Sequence, residues 1–243
     1  LACARIQRGL LERAIHAGRC LARACVYSKS CVQILGEGGC EGRAGADPYP
    51  TEALPRIFDR ENGRQFDYVY NCGGETRYSQ EDEVYKVRSY GLAMAVGNEA
   101  AKRKVKCYVE ISTGMVYKPD SAPRKEADKL KPWSRLAKWK LTAEEDLAKI
   151  EGLNLLVFRT AHVYGPYTSK FLATALCMAR VYQFLGKEMK FLWKEDLRQN
   201  TVHVEDVVRA LWTGAEWYGK APAPRTPVPV FNLVDHGNTC KSC

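Results

Sequence analysis

Phe66-Asp67-Tyr68-Val69-Tyr70-Asn71-Cys72-Gly73-Gly74 is the stretch that decides the fold. Its run of aromatic and β-branched residues breaks on paired glycines, the pattern of a buried strand entering a tight turn. Val84, Val87, Leu92, Ala95, Val96 and Ala100 then recur at helical spacing and predict one helix over residues 81–104. A second apolar run, residues 105–112, predicts a strand that ends on Ile111-Ser112-Thr113-Gly114-Met115-Val116-Tyr117. Strand, helix and strand make a β-α-β unit, in which the two strands run parallel. The unit places the hydroxyls of Ser112 and Thr113 at the C-terminal edge of the sheet, where open α/β folds bind their ligands.

Downstream, the pattern continues with a helix over residues 133–150, a buried strand over 153–159 and the loop Arg159-Thr160-Ala161-His162-Val163-Tyr164-Gly165-Pro166. A helix follows from Ser169 to about Leu185, then a strand at 189–193, an extended piece at Val202-His203-Val204 and a helix opening at Glu205-Asp206. Ala221-Pro222-Ala223-Pro224, with Pro227 and Pro229, reads as a stiff linker before a last strand at 230–234. No internal repeat is evident.

Upstream, residues 54–60 predict a short helix stopped at Gly63, residues 31–35 a short strand, and residues 1–25 a basic amphipathic helix. Gly36-Glu37-Gly38-Gly39-Cys40-Glu41-Gly42 fits the spacing Gly-x-x-Gly-x-x-Gly. A phosphate loop needs a helix behind it to present its backbone amides, and Gly45, Pro48 and Pro50 argue against one.

The ten cysteines include no Cys-x-x-Cys pair except Cys240-x-x-Cys243, so paired zinc knuckles are excluded. Cys72, Cys107 and Cys177 fall on apolar faces and read as small core residues in a reducing compartment. The net charge of +9 is scattered over helix ends, with no aromatic platform interleaved, which argues against nucleic acid. No apolar run approaches the ~20 residues of a membrane span, and no secretory leader is visible. With Leu1 at its start, the chain reads as a fragment of a cytoplasmic protein.

The turn ending at Gly74, Ser112-Thr113-x-x-Val116-Tyr117, Lys140, Arg159-x-x-x-Val163-Tyr164-Gly165-Pro166 and Val202-His203-Val204-Glu205-Asp206 follow one another in a telling order. Over residues 54–236 they resemble the extended short-chain dehydrogenases/reductases, the NAD-dependent epimerase/dehydratase family. The resemblance implies an α/β fold, a Rossmann-type doubly wound parallel sheet. It divides the chain into an atypical segment 1–53, an NAD(P)-binding body 54–164, and a small C-terminal substrate lobe with the final strand, 165–243. The family places two or more βα units between its phosphate loop and the strand at Phe66, and only residues 43–65 are available. The first strands and the phosphate loop are therefore expected to be missing.

The resemblance further implies NAD or NADP as cofactor, a small-molecule substrate such as a nucleotide sugar, and a homodimer built on the helices at 81–104 and 133–150. It gives catalytic roles to Thr113, which orients the substrate oxygen, and to Lys140. It assigns Asn71, Cys72, Gly73, Gly74, Ser112, Lys140 and Thr160 to the cofactor, and His162 and Arg198 to the substrate. Two departures matter. Four residues before Lys140, where relatives carry the tyrosine that acts as general acid/base, stands Leu136. Where relatives carry an asparagine for a substrate phosphate stands His162, and their arginine falls at Gln199, one place from Arg198. The expected function is an NAD(P)-dependent oxidoreductase or epimerase/dehydratase-like protein without the usual tyrosine. The alternative is a catalytically inactive dinucleotide-binding or regulatory protein.

Overall fold

A computed structural model describes residues 66–236 except 121, 167, 169–171 and 191–198, together with 24–28, 31–34 and 58. Its elements in chain order are β1 (Ala24–Ser28), β2 (Cys31–Ile34), β3 (Tyr68–Asn71), α1 (Asp82–Tyr85), α2 (Leu92–Lys102), β4 (Cys107–Thr113), α3 (Arg135–Leu147) and β5 (Leu155–Thr160). β6 (His162–Tyr164), α4 (Leu172–Phe184), β7 (Thr201–His203), α5 (Val204–Gly219) and β8 (Val230–Leu233) complete the order. The main sheet runs β2-β1-β3-β4-β5-β8, and β6 and β7 form a separate parallel pair.

β3, β4, β5 and β8 are parallel, as the β-α-β reading requires. β1 is antiparallel to both β2 and β3, so the sheet is mixed and not wholly parallel. A hairpin needs only a short turn, whereas another parallel strand needs a crossover of a dozen residues or more. The strand expected at 31–35 is present as β2. The helix expected to reach residue 25 is not, since Ala24 and Cys25 already belong to β1; residues before 24, and the glycine segment 36–42, lie outside the described residues. Of the helix expected at 54–60, Phe58 is described: it is helical, buried, and packs edge-on against Phe66.

Side chains alternate across the strands and split the core into two layers. Val69, Tyr108, Leu155 and Val157 pack on one face with Leu92, Val96, Ala143 and Leu147 of α2 and α3. Tyr70, Cys107, Val109, Leu156 and Phe158 pack on the other with Val207, Val208, Leu211 and Ala215 of α5. Helices on both faces are the doubly wound arrangement.

The helix expected over 81–104 is interrupted: Lys86–Gly91 is a π segment between α1 and α2. It carries the buried Ser89 to the loop after β3, where the hydroxyl accepts a 3.0 Å hydrogen bond from the Glu75 amide. α4 departs further from expectation. Leu176, Met178, Val181 and Phe184 are exposed, and Cys177, expected in the core, is exposed with them. Leu176, Met178, Val181 and Phe184 leave an apolar surface that no element covers among the described residues. The strand expected at 189–193 is absent at 189–190 and otherwise falls outside the described residues. Among the described residues no helix is long and apolar enough to cross a membrane, and no cluster of metal-ligating side chains occurs.

Candidate functional site

α3 buries Leu136, Ala137, Lys140, Ala143, Glu144 and Leu147, a stripe at i, i+4 and i+8 that faces the sheet. Two charged residues on a buried stripe require partners. The strand below supplies them, because Tyr108, Glu110 and Ser112 of β4 share the face toward α3. Four residues of helix rise about 6 Å and two residues of strand about 6.6 Å, so Lys140 and Glu144 come into register with Glu110 and Ser112.

The first rung of this ladder is centred on Glu110, which is fully buried. Lys140 Nζ donates to Glu110 Oε1 at 2.9 Å, to the Ile111 carbonyl at 2.7 Å and to the Gly73 carbonyl at 3.3 Å. Asn71, the register partner of Glu110 on β3, donates to Oε2 at 2.7 Å, and the Tyr108 hydroxyl donates to the same oxygen at 2.9 Å. Burial and the adjoining carboxylate push the Tyr108 phenol well above its ordinary range. Asn71 Oδ1 in turn accepts from the Gly73 amide at 3.1 Å. Gly74 has φ +143°, and a Cβ there would come within 3.2 Å of Ser89 Oγ and 3.5 Å of the Lys140 side chain. Gly74 therefore answers a geometric demand.

The second rung joins Ser112 and Arg159, register partners on β4 and β5, through Glu144. Ser112 donates to Glu144 Oε1. Arg159 donates from Nε at 3.1 Å and from Nη2 at 2.7 Å to Glu144 Oε2. Burial works against the guanidinium charge, yet Glu144 and the Tyr117 hydroxyl raise its pKa above the usual arginine value. Arg159 Nη1 donates to the Tyr117 hydroxyl at 2.7 Å, which donates to Asn232 Oδ1 at 2.9 Å.

Beyond this rung opens a cavity of about 440 Å³. Thr113, Thr160 and His162 line it, with Tyr117, Gln199 and the largely exposed Trp133. Thr113 ends β4 and its Oγ1 accepts from the Met115 amide at 3.2 Å, which leaves its O–H for a further acceptor. Thr160 donates to the Ser112 carbonyl at 3.2 Å. His162 is anchored by its amide to the Asn200 carbonyl at 3.2 Å, and burial lowers its pKa, favouring the neutral imidazole. Gly165 has φ +128°, and a Cβ there would lie 2.7 Å from His203 Nε2, so this loop closes only on glycine.

Of the residues marked in the sequence, the cavity gathers Thr113, Thr160 and His162. It does not gather Asn71, Cys72, Gly73, Gly74, Ser112 or Lys140, which stand at the ends of β3 and β4 and on α3. Arg198 lies outside the described residues. Sequence reasoning passed over Glu110 and Glu144. The signal for both was a carboxylate at a position whose periodicity marks it as buried.

The parallel strands, the glycine turn after β3 and the hydroxyls ending β4 define a Rossmann-type dinucleotide-binding fold. The profile of the NAD dependent epimerase/dehydratase family matches residues 51–233, and the chain belongs to that family. Among solved structures it is similar to UDP-N-acetylglucosamine 4-epimerase from Bacillus cereus, with 14% identity, TM-score 0.63, and coverage of 78% of this chain and 64% of that one. It is also similar to UDP-glucuronic acid 4-epimerase from the same organism in complex with NAD, at 17% identity, TM-score 0.60, 72% of this chain and 56% of that one. A third is a dTDP-4-dehydrorhamnose reductase from Clostridium acetobutylicum, at 18% identity, TM-score 0.63, 77% and 61%. The chain thus spans about three fifths of the length of these structures. No curated protein sequence matches it.

Proposed function

We propose that this chain is an NAD(P)-dependent oxidoreductase or epimerase/dehydratase-like protein whose substrate oxygen is received by Thr113, with no proton supplied from position 136. The observation that carries the reading is the cavity wall formed by Thr113, Thr160 and His162 at the C-terminal edge of β4 and β5. A hydroxyl that ends a parallel strand and keeps its O–H can hold a substrate hydroxyl or carbonyl. The substrate class is a hydroxylated small molecule, with nucleotide sugars, the ligands of several structural neighbours, as the first candidates.

The family cofactor, NAD or NADP, fits the backbone here better than the side chains. The turn after β3 would hold it through the main chain of Cys72 and Gly74, with Gly73, whose amide already donates to Asn71 Oδ1, and with Asn71, Ser112 and Thr160 beside it. When bound, it supplies a hydride acceptor or donor. Lys140 does not fit as a ribose ligand, because its ammonium already makes three hydrogen bonds to protein. That engagement, together with the buried Leu136, favours a second reading, dinucleotide binding without turnover.

Titration calorimetry with NADH and NADPH, beside NADH formation from a panel of alcohols and nucleotide sugars, tests both readings. Turnover that falls at least 100-fold in Thr113→Val supports the first; saturable binding without turnover supports the second. Absence of binding at millimolar dinucleotide overturns both. The outer faces of α2 and α3 are proposed to pair with a second copy, and light scattering that gives a monomer at tens of micromolar would reject that dimer.

A further inference from the structure

We infer that Glu110 is a positioning residue that commits Lys140 to the protein interior as a strut, so that this lysine serves neither a ribose nor a phenol at the site. The inference deepens the proposed function, and its consequence for the cofactor rests on that reading. The geometry behind it does not.

An ammonium has three N–H donors. All three of Lys140 are spent, on a carboxylate of β4 and on the carbonyls of Ile111 and Gly73. The anion is as fully committed: Glu110 accepts from Lys140 at Oε1 and from Asn71 and Tyr108 at Oε2. Of the pair, the lysine side chain is 11% exposed and the glutamate 0%. A buried charge pair whose members are each hydrogen-bonded on every side is stable where it stands, while removal of one partner leaves the other stranded. The positive charge that an acid/base phenol one turn earlier would draw on is therefore already balanced. Leu136 suits this arrangement, because a neutral side chain asks nothing of the ammonium. The strut also ties the ends of β3 and β4 to α3, and so fixes the Gly73-Gly74 turn from beneath.

The test needs neither cofactor nor activity. In the folded protein, Lys140 is compared with the exposed Lys102 by reductive methylation and mass spectrometry, for the wild type and for Glu110→Gln, which keeps the size but removes the charge and turns one acceptor oxygen into an N–H donor. Lys140 should react at least tenfold more slowly than Lys102 in the wild type. Its rate should rise about tenfold in Glu110→Gln, because the side chain is no longer held in the interior by the carboxylate. Ready methylation in the wild type, or a rate indifferent to Glu110→Gln, would overturn the inference.

A second arm introduces Leu136→Tyr and follows the added phenol by carbon-13 NMR. With Glu110 present the phenol should titrate at or above its ordinary value of about 10, because position 136 is buried. With Glu110→Gln added, its ionisation constant should rise about tenfold. A phenol already acidified while Glu110 is present would show that Lys140 is free to act and would equally overturn the inference. Failure to bind NADH would defeat the proposed function and leave both arms readable.

Discussion

The two rungs beneath α3 are built alike and end differently. In each, a charged residue of the helix meets the opposite charge on a strand, and a polar register partner on the neighbouring strand completes the set. The Glu110–Lys140 rung closes on the backbone of the turn after β3 and lines no part of the cavity. The Glu144–Arg159 rung passes its hydrogen bonds onward through Tyr117 to Asn232 and forms the floor of the cavity. The same device therefore ties one strand end to the helix and forms part of a cavity wall at the next. What separates them is the cation: an ammonium is a point charge that three acceptors exhaust, whereas a guanidinium fork holds a carboxylate with one edge and offers the other.

Removing the cation of each rung tests this contrast most severely. Arg159→Met leaves Glu144 buried without its cation and should cost about 3–5 kcal/mol, read as the shift of the urea midpoint. Adding Glu144→Leu should recover most of the loss. Lys140→Met should cost less, about 2–3 kcal/mol, because Asn71 and Tyr108 still donate to Glu110. The reverse order would show that the Glu110–Lys140 rung carries more of the fold than the Glu144–Arg159 rung.

The two left-handed glycines sharpen the comparison at smaller scale. Gly165→Ala, beside the cavity, would drive a Cβ to 2.7 Å from His203 and 2.9 Å from Val204, whereas Gly74→Ala, over the strut, meets Ser89 at 3.2 Å. Both positions also carry left-handed backbone strain, of about 1–3 kcal/mol for a non-glycine residue. Thermal unfolding should place Gly165→Ala toward the upper end and Gly74→Ala toward the lower.

The smallest effect concerns Glu75, just past the turn. Burial opposes its charge, but hydrogen bonds from Arg77 and the nearby Arg88 guanidinium bring its pKa from 4.5 down to about 2. A carboxylate with a lowered folded pKa stabilises above its unfolded value and loses that contribution as pH falls through the folded one. Stability should decline between about pH 4.5 and 2, and Glu75→Gln should flatten that part of the curve. Because Arg77 is half exposed, the change should be modest.

Much of this was legible in the residues themselves. The run from Phe66 to Gly74, the hydroxyls after Ile111 and the helical spacing around Lys140 gave the β-α-β body and the position of Thr113. The helix face carrying Leu136, Lys140 and Glu144 could be read from spacing alone. Its consequence could not, because a lysine on a buried stripe reads the same whether it points at a ligand or at a carboxylate on the adjoining strand. Only the pairing of β3 with β4, which is non-local, brings Asn71 and Glu110 side by side. The antiparallel hairpin at the sheet edge was hidden for a similar reason: strand direction is a property of pairing, and short strands carry no mark of it. Cys177 was misplaced because an apolar helix looks the same in sequence whether or not anything covers it.

The π segment Lys86–Gly91 has a consequence for chain length. A π turn accommodates one residue more than an α turn while the flanking helix keeps its faces. A single deletion within 86–91 that spares Ser89 should thus convert the segment to ordinary helix and leave the packing of Leu92, Val96 and Ala100 in phase. The same deletion within α2 would rotate every following side chain by about 100° and turn its buried face to water. The helix therefore holds a spare residue at one place, directly beside the turn after β3, and deletion of a single amino acid should be tolerated there better than within α2.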